Sequence, residues 1–479
     1  MVQFPQTPFF TGVNAPSRIE VDIEDLEVEG IIPPEINGGF YRVAADHQFP
    51  PRCEGDIPFN ADGMISVFRF KHGKVALKTR YAKTDRWKAE RAAGKALFGK
   101  YRNRHLDDAS VSGMTRDLAN TNVILHGGVL LALWEGARPV AMDPETLETI
   151  GRWDFHGTLN SRTCSAHCAI DPESGNLVGF AFAAKGEFTT DTLYFEAGPD
   201  GRIIHEAWFQ LPYYAELHDC GVTRDYICFP VVPIMGCGED RLMAGETYYG
   251  WDPTRDIHLG VLPRFGSGDQ IRWFTAPNQF TSHVMNAWNE GSKIHFDTCV
   301  APGNLFPWFP EPGKPFDVTK TGVRLTRWTV DMASNGDGFE KVETLSDYIG
   351  EFPKTDTRYQ MRRYRHGWML GFGGPRRGDM GHVDLETGVT EVWEAGPTKV
   401  VQEPTFIPRP GSDVEGDGWI ALAATDTETL LTELYLFDAT AIAKGPIATV
   451  RTPVHLKPAY HGNWFDGALI TPSGLVEGV

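Results

Sequence analysis

An all-β propeller is the fold class this sequence predicts, and three observations predict it. Helical periodicity is scarce along the 479 residues. A strand, an Asp- or Gly-containing turn and a second strand recur without a sharp repeat. Four histidines in distinct local contexts, His167, His218, His283 and His461, lie far apart in the chain. Only a fold that returns repeatedly to one point can bring them together. At roughly 40–65 residues per blade, the length suits seven or eight blades.

The strand–turn–strand unit is read first at 68–82 (FRFKHGKVALKTRYA) and next at 140–155, 168–182 and 193–209. It returns at 328–345, 382–395 and 434–450. Each is a short run of β-formers bounded by turn residues. The best helix candidate is 86–100 (RWKAERAAGKALFGK), rich in Ala, Lys and Glu, with a short second one near 438–443. The 51 Gly and 33 Pro are dispersed, which points to many turns rather than a disordered tract. No linker or composition shift divides the chain, so one domain over 1–479 is expected.

Bulk properties exclude some partners. With 41% apolar residues the chain can bury a sizeable core. A formal charge of −18 argues against nucleic acid and against an anionic membrane surface. The opening Met-Val-Gln-Phe-Pro-Gln-Thr-Pro has no basic n-region or apolar h-region, so no signal peptide is expected. No apolar run approaches the ~20 residues of a membrane span. Seven cysteines, an odd number in a long chain, read as reduced thiols of a cytoplasmic protein. Cys164 and Cys168 flank His167 and invite a zinc reading, but no second pair stands at zinc spacing.

The histidine contexts carry the chemistry. They are Ser-Ala-His167-Cys-Ala-Ile-Asp, Glu-Leu-His218-Asp-Cys, Ser-His283-Val-Met-Asn and Tyr-His461-Gly-Asn-Trp. Neutral imidazoles suit Fe, Zn, Cu or Ni and add no charge to a divalent ion. A metal-bound histidine needs an acceptor for its other ring nitrogen. Glu135 in Leu-Trp-Glu-Gly, Glu351 in Gly-Glu-Phe-Pro and Glu403 in Gln-Glu-Pro-Thr are candidates, because none lies in a charged run. Against this stands the bland reading that, among 15 histidines, these four are structural.

The chain resembles the carotenoid cleavage oxygenase family, and within it the bacterial lignostilbene dioxygenase and isoeugenol monooxygenase branch. The likeness begins at Ile31-Ile-Pro-Pro-Glu-Ile-Asn-Gly-Gly-Phe-Tyr-Arg and runs through Phe59-Asn-Ala-Asp-Gly-Met, Leu97-Phe-Gly-Lys-Tyr-Arg-Asn and Asn120-Thr-Asn. It continues in the four histidine motifs, Arg272-Trp-Phe and Arg324-Leu-Thr-Arg-Trp. The resemblance implies a seven-bladed β-propeller with a small helical and loop cap over an axial metal site. It implies Fe(II) on His167, His218, His283 and His461. Glu135, Glu351 and Glu403 then orient His218, His283 and His461, and Thr121 lies beside an open coordination site. It further implies oxidative cleavage of a conjugated C=C bond with O2, giving two carbonyl products from a small aromatic olefin.

One position departs from the branch. A Tyr and a Lys there bind the substrate's 4-hydroxyl group; Tyr101 matches the Tyr, but Trp134 stands at the Lys position. Trp offers an aromatic wall and one N–H, not a charge. Phe59 matches an aromatic wall of the substrate cleft. The expectation is weakened phenolate assistance, with O-methylated stilbenoids, other aryl olefins or a slim polyene as substrates. Trp134→Lys is then expected to raise activity on 4-hydroxystilbenes. The remaining alternatives are an apocarotenoid-cleaving oxygenase and a non-catalytic ligand-binding propeller. A lactonase with Ca2+ fits poorly, since Ca2+ prefers oxygen ligands. The oligomeric state, a homodimer included, stays open.

Overall fold

The computed structural model describes residues 3–372 and 378–475. Its contacts divide the chain into two compact units. One comprises Met1–Leu159, Ala395–Ser412 and Asp417–Val479, and the other Asn160–Glu394 and Asp413–Gly416.

Among the described residues, the first unit holds three antiparallel sheets. One orders Val21–Ile23, Lys74–Tyr81, Asp62–Lys71, Gly38–Asp46 and His461–Asp466, so the last strand of the chain pairs with an early one, His461 opposite Val43. A second runs Asn122–His126, Val129–Leu133, Val140–Met142 and Thr149–Arg152. The third again joins both ends of the chain: Glu27–Gly30, Ala448–Arg451, Thr432–Asp438, Gly418–Asp426 and Lys399–Val401, with Thr405–Pro408 also on Gly418–Asp426.

The second unit holds the sheets Ala169–Ile170 to Ile203–Gln210 and Gly221–Val222 to Arg272–Ala276, and the small hairpin Ile234–Gly236 with Tyr249–Trp251. A seven-stranded path then runs from Phe280–Glu290 to Val389–Glu394. Its long strand Lys341–Thr355 pairs first with Arg324–Asp331 and then, past a register shift, with His366–Gly371. It thus ends one four-stranded sheet and begins the next.

Local chemistry explains these strands. Lys74–Tyr81 alternates, with Val75, Leu77, Thr79 and Tyr81 buried and Lys74, Lys78 and Arg80 turned outward. Gly418–Asp426 is buried along its whole length and correspondingly carries Trp419, Ile420, Leu422 and three alanines. The tight turn after Asp62–Lys71 needs positive φ at both central residues, and His72 (53°) and Gly73 (74°) supply it. Phe40, Phe68, Phe70, Trp419, Leu434 and Val450 pack one core of the first unit; Phe180, Tyr194, Phe209, Phe229 and Leu262 pack one of the second. All seven hairpins read from the sequence pair as antiparallel strands.

The helix expected over 86–100 is shorter. It spans Asp85–Ala93, capped by Thr84, whose hydroxyl accepts from the Trp87 N–H at 3.0 Å. Gly94 ends it in the left-handed region at φ 67°. The residues beyond fold back: the Leu97 and Phe98 N–H groups donate to Glu90 Oε1 at 2.9 and 3.2 Å. The helix expected near 438–443 is a single 3-10 turn, Ile442–Lys444, because Asp438 still belongs to the strand Thr432–Asp438. Among the described residues no helix is long and apolar enough to cross a membrane.

Candidate metal centre

In the second unit three histidines converge. His167 immediately precedes the sheet that begins at Ala169–Ile170, His218 precedes the one that begins at Gly221–Val222, and His283 lies within Phe280–Glu290. Each therefore sits at or in the first strand of its own sheet. The ring centroids of His167 and His218 are 4.5 Å apart, those of His167 and His283 5.3 Å, and those of His218 and His283 5.0 Å. His218 Nε2 and His283 Nε2 approach to 3.2 Å. The ligand nitrogens of the three lie within 4.8 Å of one another, close enough to share one ion.

A buried carboxylate stands behind this cluster. Glu351 Oε2 is 2.7 Å from His283 Nδ1, and the carboxylate also accepts from Ser282 Oγ and from the Phe352 N–H. Phe352 adopts φ 53°, a conformation that side chains disfavour, and so turns its N–H onto Glu351. Burial alone would push the Glu351 carboxyl up, but the facing His283 and the bonds from His283, Ser282 and Phe352 hold it below the usual range. An ionised acceptor at Nδ1 keeps the proton on that nitrogen and leaves the Nε2 lone pair for a metal.

Asp219 is a buried group that the sequence reading missed, although it directly follows His218. Its Oδ1 lies 3.9 Å from His167 Nδ1, and it accepts from the Cys220 and Val284 N–H groups at 2.7 and 2.8 Å. Burial pushes its carboxyl up to about 6, against the charges of His283 and His218 and those two N–H groups. Cys164 Sγ and Cys168 Sγ are 3.9 Å apart. Among the described residues, no grouping that could hold a metal includes a cysteine.

The first unit holds the other expected residues. His461 begins the strand His461–Asp466, and its Nδ1 is 2.9 Å from Glu403 Oε1. Glu403 Oε2 also accepts from the Gly462 N–H at 2.8 Å, and both side chains are buried. This repeats the His283–Glu351 arrangement. Thr121 precedes Asn122–His126 and its hydroxyl bonds Asn120 Oδ1 at 3.2 Å. Asn120 Nδ2 in turn donates to the Phe59 carbonyl at 2.8 Å, linking Thr121 to the Phe59 segment. Glu135 is buried two residues past Val129–Leu133.

Phe59 meets Tyr460 edge to face at 5.4 Å, and Tyr101 meets Trp134 edge to face at 6.4 Å. Burial, and then the neighbouring Tyr101, pushes the Tyr460 phenol up. Tyr460 was not foreseen, although it stands beside His461 in the sequence. The Arg102 guanidinium lies 5.0 Å from the centre of the Trp134 ring. The two units thus offer buried histidines on carboxylate supports, and an aromatic set suited to a flat apolar ligand.

Comparison with known proteins agrees with that chemistry. Residues 14–466 match the family described as retinal pigment epithelial membrane protein. The chain is 47% identical to lignostilbene-alpha,beta-dioxygenase isozyme III of Sphingomonas paucimobilis, over 98% of this chain and 99% of that one. It is 39% identical to isoeugenol monooxygenase of Pseudomonas nitroreducens, over 95% and 98%. The crystal structure of Pseudomonas brassicacearum lignostilbene dioxygenase superposes with a TM-score of 0.94 at 41% identity, covering 98% of this chain and 100% of that one. The all-β propeller expected from the sequence is the fold these likenesses show.

Proposed function

The chain belongs to the family of the retinal pigment epithelial membrane protein and the carotenoid oxygenases, and from that premise we propose that it is an Fe(II)-dependent dioxygenase cleaving the conjugated C=C bond of a stilbenoid or phenylpropenoid to two carbonyl products. The observation that carries the reading is the convergence of His167, His218 and His283 with Glu351 bonded to His283. His461, held by Glu403 in the same manner, completes a four-imidazole set in this proposal.

Glu135 is assigned to orient His218, Glu351 to orient His283 and Glu403 to orient His461. Buried carboxylates so placed fix ring tautomers and offset the charge of a divalent ion that four neutral ligands leave intact. Bound there, Fe(II) supplies the redox chemistry that lets O2 react with an alkene. The residues do the rest. Thr121 stands beside the open coordination site in this assignment. Phe59, Tyr101 and Trp134 wall the substrate cleft, holding a planar olefin and excluding water. The three sheets of one unit and the four of the other are read as the seven blades of one domain. The short helix Asp85–Ala93, with the loop that follows, is read as part of the cap. Seven free cysteines suit a cytoplasmic protein.

The test is O2 uptake by iron-loaded protein on 4-hydroxystilbenes, their 4-O-methyl ethers, propenylphenols and an apocarotenal, with aldehydes identified by mass. Stoichiometric uptake with two aldehydes from a stilbene or propenylphenol is expected. Cleavage of the apocarotenal alone would transfer the assignment to apocarotenoids. Silence across the panel from protein holding one iron per chain would sink the reading.

A further inference from the structure

We propose that Cys164 and Cys168 are a site of reversible oxidation by peroxide, a dithiol that closes to a disulfide around the loop carrying His167. The site goes beyond the activity assigned above; only its consequence for iron rests on His167 as a ligand. The two sulfurs lie 3.9 Å apart. Both thiols are turned onto one acceptor, the Ser165 carbonyl, Cys164 Sγ at 3.6 Å and Cys168 Sγ at 3.4 Å. They therefore face one point from the two ends of the segment 164–168. That segment belongs to no helix or strand, so no ladder of backbone bonds resists a small closure. Cys164 is buried at 1% exposure, whereas Cys168 is half-buried. One thiol is open to a small oxidant and the other is held beside it, which suits an attacked and a resolving cysteine.

The flanks of the loop are fastened. Thr163 Oγ1 donates to the Phe182 carbonyl at 2.9 Å and the Ser165 N–H to the Phe180 carbonyl at 2.7 Å, which holds Cys164 from both sides. Beyond Cys168, Ala169 pairs with Val178 and Ile170 with Leu177. A disulfide brings the sulfurs to about 2.05 Å, a closure of about 1.9 Å from where they stand. With both flanks held, the closure is taken up by the two side chains and by the backbone of 166–168. His167 is the centre of that backbone, and its N–H donates to Ser165 Oγ at 3.0 Å. Oxidation therefore displaces His167 relative to His218 and His283, whose ring centroids stand 4.5 and 5.3 Å from its own.

The chemistry balances with hydrogen peroxide as the oxidant. Peroxide transfers one oxygen to Cys168 Sγ, giving the sulfenic acid, and leaves as water. Cys164 Sγ then attacks the Cys168 sulfur and the S–S bond forms. The sulfenic hydroxyl departs with the Cys164 thiol proton as a second water. The two thiols lose two electrons in all, and one peroxide is reduced to two waters. A dithiol reductant reverses the step by thiol–disulfide exchange, so in a reducing compartment the bond is transient.

The test treats the full-length protein with hydrogen peroxide in the presence of a chelator, so that no free iron makes radicals, and raises the peroxide until half-buried Cys53 is oxidised. Trypsin then releases 163–185, which holds these two cysteines and no other. That peptide is expected to resist alkylation and to be lighter by two hydrogens than the reduced one, and a dithiol should reverse both changes. Recovery of Cys164 and Cys168 as free thiols would overturn the proposal, as would over-oxidised Cys168 beside a free Cys164. The second readout is anaerobic Fe(II) titration. The disulfide form is expected to bind iron on the order of 10-fold more weakly, with recovery on reduction. Cys168→Ser, treated alike, should keep the affinity of reduced wild type. Unchanged affinity in the disulfide form, or an equal loss in Cys168→Ser, would overturn the link to His167. Failure of reduced wild type to bind iron would instead overturn the four-histidine reading and leave the peptide result standing.

Discussion

At the scale of single residues, the structure separates histidines backed by a buried carboxylate from histidines that pack against other rings. His283 is bonded to buried Glu351 and His461 to buried Glu403. Glu351→Gln preserves shape but removes the charge, and iron affinity should fall about 10- to 100-fold, read by metal analysis after competition with a chelator. His218→Ala should lose iron outright and turnover with it; full activity in that variant would sink the site assignment. His382 belongs to the other kind. It bonds His366 at 3.0 Å, stacks on Trp368 at 5.3 Å and is buried. Burial, and then the charge of His366, brings it down to about 4 from an ordinary 6.5. The unfolded chain takes up this proton first as pH falls. The stability His382 contributes is therefore complete above pH ~6.5 and drains away toward pH ~4, by about 3 kcal/mol in all. Urea denaturation across that window should show a shallower acid loss for His382→Gln than for wild type. Equal slopes would mean that other groups carry it.

At the scale of elements, the helix Asp85–Ala93 shows why composition overran its end. The run from Lys95 to Leu97 is as helix-prone in content as the run before it. Gly94 at φ 67° and the carboxylate of Glu90, which collects the Leu97 and Phe98 N–H groups, turn the chain back instead. Gly94→Ala meets open space, so its cost is backbone strain alone, about 1 kcal/mol. Thr84→Ala, which deletes the N-cap, should cost a similar ~1 kcal/mol. Both are read as a lowered urea midpoint at constant slope; a change in slope would mean the cap segment unfolds separately. The hairpins were legible because their signal is local, an alternating run on each side of a turn. The 3-10 turn Ile442–Lys444 was misread because a helical pattern of a few residues carries little information against a neighbouring strand.

At the scale of the whole molecule, the first unit is assembled from both ends of the chain. Gly38–Asp46 has His461–Asp466 as a sheet partner, and Glu27–Gly30 has Ala448–Arg451. Deleting residues from 461 onward should leave Gly38–Asp46 as an open edge, remove His461 and yield an aggregation-prone protein without iron, seen by light scattering and metal analysis. For the intact chain, calorimetry should record one transition whose midpoint rises with Fe(II), reflecting about 2.7 kcal/mol of added stability at 100-fold excess over Kd. Two separate transitions would mean that the units fold as independent domains.

The sequence by itself determined the strand content, the seven hairpins and the residue types that bear chemistry, because periodicity and turn residues act over a few positions. Motif likeness added the expectation that His167, His218, His283 and His461 are ligands with Glu135, Glu351 and Glu403 behind them. Only the tertiary structure decided which side chains meet. Asp219 faces His167, Tyr460 meets Phe59, and Arg102 lies on Trp134 and bonds Tyr101. Each of these contacts depends on where separate sheets and a strained loop place a side chain, through long-range packing and hydrogen bonds that no local pattern records.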